Sequence, residues 1–188
     1  MVIAEKQTKD LLTASKIGRY AINPYVGCPH ACKYCYASFM KRFTNHPEAW
    51  GEFIDVKRCD KKIDLRKIAG KNVFMSTATD CYNPYEAKYG ITRSILEQLV
   101  GSDCHLQIST KNKLILRDMD LLKRMKHLSV AMSVNTLDEQ FRRDMDKSST
   151  IRERLDTLRT FHDEGIYTIL FMSPIFIGIT DWQAIIEQ

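Results

Sequence analysis

The sequence predicts an α/β domain built on a parallel sheet, and three observations carry that prediction. Short apolar runs rich in β-branched and aromatic residues alternate with segments of helical spacing, about five times over 188 residues. Polar and reactive residues follow those runs, at the strand ends where parallel sheets place their active sites. No repeat, low-complexity tract or linker divides the chain, so 1–188 reads as a single domain. An open doubly wound sheet and a (β/α) barrel both satisfy this alternation.

The elements follow in order. "YAINPYVG" (20–27) reads as a strand that runs into a cysteine-rich loop. "NVFMST" (72–77), "CHLQIST" (104–110), "HLSVAMSVNT" (127–136) and "IYTILFMSP" (166–174) are compact runs that fit strands buried on both faces. "TRSILEQLV" (92–100) repeats apolar residues at helical spacing and stops at Gly101. "LRDMDLLKRMK" (116–126) aligns Leu116, Met119, Leu122 and Met125 on one stripe. "STIRERLDTLRTFHDEG" (149–165) opens on a Ser/Thr cap and closes at Gly165. "DWQAIIEQ" (181–188) begins a further helix at Asp181.

Composition excludes little but sets the compartment. Apolar residues make up 44%, charged residues 27%, and net charge is +5. No apolar run is long enough for a membrane span, and "MVIAEKQTKDLLTASK" lacks the apolar core of an export signal. The expected location is therefore the reducing cytoplasm, where clustered cysteines bind metals or catalyse rather than form disulfides. The densest basic stretch, "DVKRCDKKIDLRKIAGK" (55–71), reads as a solvated surface or as a patch for phosphate, in nucleic acid or a nucleotide.

"GCPHACKYCYA" (27–37) holds three of the six cysteines, at C-x3-C-x2-C spacing. Structural zinc needs four protein ligands, so His30, Cys59, Cys81 or Cys104 would have to complete the set. A ferredoxin-type carrier also uses four cysteines per cluster. Three thiolates on a four-iron cluster leave one iron without a protein ligand, and an open position is what makes a metal site catalytic.

This spacing, with Tyr34 before Cys35, resembles the signature of the radical SAM superfamily. "NPYVGCPHACKYCYA" is similar to the opening of the branch that contains spore photoproduct lyase and its DNA repair photolyase-like relatives, including radical SAM mobile pair proteins. "STATDCYNPYE", "STKNKLILRDMDLL", "SVNTLDEQF" and "GIYTILFMSPIFIGITD" resemble that branch's later strand segments in order. The resemblance implies a partial (β/α) barrel of the radical SAM type, with about five βα units present. A sixth strand would be missing, as from a C-terminally truncated chain. It implies a 4Fe-4S cluster whose open iron binds S-adenosylmethionine (AdoMet) and cleaves it reductively. The resulting 5′-deoxyadenosyl radical takes hydrogen from a substrate.

The resemblance also assigns residues. Cys28, Cys32 and Cys35 ligate the cluster. Tyr34 and Tyr36 lie against the cofactor, and Ser76 and Thr77 sit near its amino group. Lys111 reaches its carboxylate or ribose, as do Ser133 and Asn135. Arg154 matches an arginine after the fourth strand, and Pro174 shapes the adenine pocket. Photoproduct lyases carry a hydrogen-donating cysteine where this chain has Thr77, and Cys81, four residues on, is the substitute candidate. Asp80, Tyr82 and Glu86 are candidates for the substrate side. The implied partners are a reductant such as flavodoxin or ferredoxin and a substrate for which nucleic acid is one option. The competing readings are a non-catalytic iron–sulfur electron-transfer or sensing protein, and a zinc-stabilised nucleic-acid-binding module.

Overall fold

The computed structural model describes residues 1–188. Five strands lie side by side and parallel: β3 (Tyr20–Ile22), β6 (Asn72–Met75), β7 (His105–Thr110), β8 (His127–Ser133) and β9 (Tyr167–Phe171). A short strand, β2 (Leu12–Ala14), adds antiparallel to β3 at one edge, and β9 forms the other. The sheet is thus an open partial barrel, as the alternation and the family resemblance imply.

The strands present two faces because side chains alternate. Val73, Met75, Leu106, Ile108, Val130 and Met132 are fully or almost fully buried in one 24-residue core cluster. They meet Ile95, Leu96 and Leu99 of α3 (Ile91–Leu99) and Phe161 of α6 (Ile151–Asp163). Each such side chain removed from water contributes about 1.5–3 kcal/mol. The opposite face carries Phe74, Gln107, Ser129 and Tyr167 in register across four strands, and it forms the concave side.

The crossover helices sit where the sequence places them. Thr150 caps α6 by accepting from the Glu153 amide at 3.3 Å, while Glu153 accepts from the Thr150 amide at 2.9 Å. The reciprocal pair satisfies two amide donors that a helix start would otherwise leave unpaired. Asp181 caps α7 (Trp182–Ile186). The stripe at 116–126 is shorter than expected: a 3-10 turn (Lys113–Asp118) leads into α4 (Met119–Leu122).

Two expectations need correction. The run at 20–27 is not one strand. It breaks at Pro24, which has no amide hydrogen and restricts Asn23. Beyond the break, β4 (Tyr25–Val26) joins a second sheet of order β1-β5-β4, with β1 (Val2–Gln7) parallel to β5 (Phe53–Arg58). That sheet, the short helices α1 (Leu65–Ile68) and α2 (Glu86–Tyr89), and α5 (Glu139–Met145) were not anticipated. The second correction concerns Tyr82 and Glu86, which are fully buried rather than on a substrate face. Glu86 accepts from the Tyr25 hydroxyl, the Thr92 amide (2.9 Å) and Arg117 (2.7 Å). This anion ties β4 to the α2–α3 corner, and β4 leads directly into the cysteine loop. No helix is long and apolar enough to cross a membrane.

Candidate functional site

The cysteine loop departs from β4 at Gly27, whose φ of +80° is open to glycine. A Cβ there would lie 2.3 Å from the Phe53 carbonyl oxygen, so a side chain is also excluded by backbone contact. Two turns follow, closed by Ala31 N–H to Cys28 C=O and Cys35 N–H to Cys32 C=O, both 3.1 Å. The loop is tied to the α5 end by Lys33 N–H to Met145 C=O (2.9 Å) and Lys147 N–H to His30 C=O (2.8 Å).

Cys28, Cys32 and Cys35 all border one cavity of about 330 Å³ at the carboxyl ends of the parallel strands. The opposite wall comes from those ends: Ser76 and Thr77 after β6, Lys111 after β7, and Ser133 closing β8. Tyr36 edges the mouth. Thus the cysteines and most of the residues expected around them are brought together by four separate segments.

Local geometry explains several placements. Ser76 adopts φ +75°, a left-handed conformation rare for a non-glycine residue. It is held there by its Oγ, which accepts from the Cys81 amide at 2.9 Å. Thr77 Oγ1 accepts from Asn23 Nδ2 at 2.8 Å, and its carbonyl accepts from the Tyr36 hydroxyl. The Lys111 amide donates to Asp80 Oδ2 at 2.8 Å, leaving the side chain free to extend. Its ammonium lies 5.8 Å from the Tyr34 ring centroid.

The remaining expected residues lie elsewhere. Tyr34 borders the loop but not the cavity, and its hydroxyl donates to Asp146 at 3.0 Å. Asn135 is buried and its Nδ2 has no partner. Pro174 sits on the loop after β9, beyond the cavity lining. Arg154 is 1% exposed and its donors are committed within the protein. They reach the Ser149 carbonyl (2.8 Å), the Ser133 carbonyl (3.1 Å), Asp146 Oδ1 (2.8 Å) and the Ser148 hydroxyl. Cys81 is fully buried in the core and off the cavity, and burial pushes its thiol pKa well up. That position takes it out of reach of a substrate in the cavity.

Two residues carry more of the site than the sequence suggested. His30 is 1% exposed, on the cavity wall, with Nδ1 3.3 Å from Asp80 Oδ2, close but not aligned for a hydrogen bond. Burial opposes the imidazolium, yet the Asp80 carboxylate and Cys28 hold the His30 pKa up to about 10. Asp80 also accepts from Thr110 (2.7 Å), and its pKa stays low because His30 outweighs the cost of burial. The sequence offered His30 as a possible zinc ligand and Asp80 as a substrate-side candidate, but nothing in it paired the two.

Three cysteine thiols bordering one cavity are the donor chemistry of an iron–sulfur cluster. A four-iron cluster is larger than a single ion and spaces its thiolates apart. Cys59, Cys81 and Cys104 do not border the cavity, so no fourth thiol closes the set. Burial pushes Cys32 up to about 12 and raises Cys35, so metal binding there must displace protons. Thr79 Oγ1, buried in the same wall, has no protein partner. A cofactor with hydrogen-bonding groups would supply one.

Comparisons agree with this geometry. The Radical SAM superfamily model matches residues 22–187. The chain is 36% identical over 190 residues to "Uncharacterized protein MJ0683" of Methanocaldococcus jannaschii, covering 99% of this chain and 72% of the relative. It is 30% identical to "Uncharacterized protein ORF301" of Acidianus two-tailed virus, covering 84% of this chain and 56% of the relative. Among solved structures it resembles spore photoproduct lyase complexed with dinucleoside spore photoproduct. The TM-score is 0.70 at 17% identity, over 93% of this chain and 52% of that one. A spore photoproduct lyase variant with bound AdoMet and dinucleoside spore photoproduct gives 0.68 at 16% identity. It is matched over 92% of this chain and 51% of its own. The chain therefore spans about half the length of these lyases.

Proposed function

The chain belongs to the radical SAM superfamily, whose members use a 4Fe-4S cluster and AdoMet, and from that premise we propose the roles of its residues. Cys28, Cys32 and Cys35 hold the cluster and leave one iron open for AdoMet. The observation that carries this is their position on a single cavity, with no fourth thiol beside them. When bound, the cluster and AdoMet would supply one-electron reductive carbon–sulfur cleavage and, through it, hydrogen abstraction from a substrate.

The protein's own residues bind and orient. Lys111 pairs with the AdoMet carboxylate, and Ser76, Thr77 and Ser133 offer hydroxyls from the facing strand ends. Thr79 gives its unpartnered hydroxyl to the same ligand. Tyr36 covers the mouth. Asp146 anchors Tyr34 and Arg154, so these two residues position the loop and β8 rather than touch AdoMet. Photoproduct lyase supplies the model for a nucleic-acid substrate, since its structure holds a dinucleoside lesion. With Thr77 where that enzyme class has its donor cysteine, the reaction ends without a thiol at that position. A hydroxyl is a poor hydrogen-atom donor, so the net reaction differs from photoproduct repair. The electron comes from a small reductant protein of the flavodoxin or ferredoxin kind.

The test is anaerobic. The protein is reconstituted with iron and sulfide, mixed with AdoMet and dithionite, and assayed for 5′-deoxyadenosine by mass spectrometry. Product from the wild type and none from Cys35→Ala is expected, with iron lost in Cys28→Ala, Cys32→Ala and Cys35→Ala but kept in Cys59→Ala. Full iron content in any of the first three variants would overturn the ligand assignment.

A further inference from the structure

The 3-10 helix that follows Cys35 (Tyr36–Phe43) carries, beyond Tyr36 and Ala37 on the cavity, a surface that the cluster site does not use. Only Ala37 in it is buried. Tyr36, Phe39 and Phe43 are 69%, 50% and 66% exposed, three large rings in water on one short element. Isolated exposed apolar residues need no explanation, but a contiguous aromatic group does. A 3-10 helix repeats every three residues, so Tyr36, Phe39 and Arg42 fall in one row, about 12 Å long at 2.0 Å rise per residue. Tyr36 opens onto the cavity at one end of the row. At the other end the Arg42 guanidinium lies 5.4 Å from the Phe39 ring centre and 4.7 Å from that of Phe43.

The face is predominantly basic, although Glu48 lies close enough to Lys41 to feel its charge. Between Ala31 and Pro47 the chain has Lys33, Lys41 and Arg42 and no aspartate or glutamate. Arg42 forms no ion pair, unlike the cations of the basic stretch, where Arg58 meets Glu5 and Lys61 meets Asp10. Basic residues interleaved with exposed rings are the combination on which unpaired bases stack while phosphates are neutralised.

We propose that this face is a docking track for an unpaired nucleic-acid strand, which stacks bases on Phe39 and Phe43, pairs phosphates with Lys41 and Arg42, and enters the cavity past Tyr36. The proposal rests on the radical SAM reading of the cavity and names its substrate class. The rival occupant is an acidic electron-donor protein. The row favours a strand because it is one helix face wide and runs into the cavity. A donor needs only an approach to the cluster edge.

The experiment is anaerobic fluorescence anisotropy of the reconstituted full chain with fluorescein-labelled oligothymidylate, in a series of salt concentrations. Phe39→Ala should weaken binding about tenfold and Phe39→Trp should restore it, the expectation for base stacking. Arg42→Ala should reduce the slope of log affinity against log salt by about one. Wild-type protein that binds no oligothymidylate, or Phe39→Ala binding as wild type does, overturns the track. If Phe39→Ala instead slows cluster reduction by flavodoxin with oligothymidylate affinity unchanged, the face serves the donor and the proposal is wrong. AdoMet cleavage by the wild type is read separately. Cleavage without oligothymidylate binding defeats the track alone, and Phe39-dependent binding without cleavage defeats the cavity reading alone.

Discussion

Replacing Arg154 with alanine should cost the protein its fold before it costs any ligand contact. The guanidinium and its main partner, Asp146, are each 1% exposed and 2.8 Å apart. Asp146 also accepts from Tyr34 (3.0 Å) and from the Ser148 hydroxyl (2.6 Å). Removing the nearer cation leaves the buried Asp146 carboxylate with only the Arg142 guanidinium at 3.7 Å, so the loss should approach the roughly 3–5 kcal/mol of a broken buried ion pair. Against a total stability of about 5–15 kcal/mol, that is a large fraction. It corresponds to a fall in Tm of roughly 6–20 °C for a chain of this size.

The pH dependence carries a sign. Burial pushes the Asp146 pKa up, but Arg154 and the hydrogen bonds from Ser148 and Tyr34 bring it below its ordinary value. A carboxylate lowered on folding stabilises the protein above its unfolded pKa, about 3.9, and that contribution fades as pH falls through the folded value. The difference between wild type and Arg154→Ala should therefore be full at neutral pH and shrink below about pH 4. In the variant, burial acts on Asp146 without the Arg154 charge and with the hydrogen bonds left to oppose it, so stability begins to fall at a higher pH. Urea denaturation followed by far-UV circular dichroism measures both effects, with and without the cluster. A loss under about 1 kcal/mol together with abolished AdoMet binding would refute the reasoning, because it would mean that Arg154 faces the ligand.

Three further outcomes are expected. Gly27→Ala places a Cβ against the Phe53 carbonyl at a φ of +80°, so the loop must move and iron content after reconstitution should fall well below wild type. Wild-type iron would show that the loop tolerates the shift. Lys111→Ala should weaken AdoMet about tenfold by equilibrium dialysis with iron unchanged, as expected for the loss of one charge-assisted bond. Unaltered affinity would remove the lysine from the site. Glu86→Ala leaves the Tyr25 hydroxyl and the Thr92 amide without their acceptor, while Arg117 keeps Asp118 and the residue-86 carbonyl, and should destabilise by about 2–6 kcal/mol, roughly 1–3 for each buried group left unpaired. A thermal melt within a degree or two of wild type would contradict that.

What could be read in the sequence was what is local. The parallel strands announced themselves as short apolar runs, although only one face of each reaches the core and β9 is nowhere fully buried, and α6 did so through Thr150 and Glu153, three residues apart. The three cysteines that border one cavity could be picked out by their spacing alone. The three-stranded sheet left no such trace. Most of β1 is exposed, β5 mixes Asp55 and Lys57 among its apolar residues, and the two strands pair across about fifty positions. Arg154 shows the same limit at the site. A cation that meets a ligand and one that meets a buried carboxylate look alike in sequence, and only folding brings Asp146 against it. Thr77 and Ser76 were legible as hydroxyls after a strand, but the left-handed turn that aims Ser76 at the Cys81 amide was not.

The folded arrangement also narrows which ligand charge the cavity can take. Arg154 answers Asp146, Arg142 answers Glu139, and His30 lies against Asp80. Lys111 is the cation on the cavity lining without a carboxylate partner. A wall with one uncommitted cation suits a ligand with one carboxylate, and the three thiols opposite suit a cationic centre once they carry an iron–sulfur cluster. AdoMet has both features, a single carboxylate and a sulfonium. A triphosphate would bring several negative charges to one ammonium beside three thiolates, at a Coulombic cost that nothing on this wall offsets. The same reasoning places phosphates of a larger substrate outside the cavity, beside Lys41 and Arg42, of which Arg42 stands over the Phe39 and Phe43 rings.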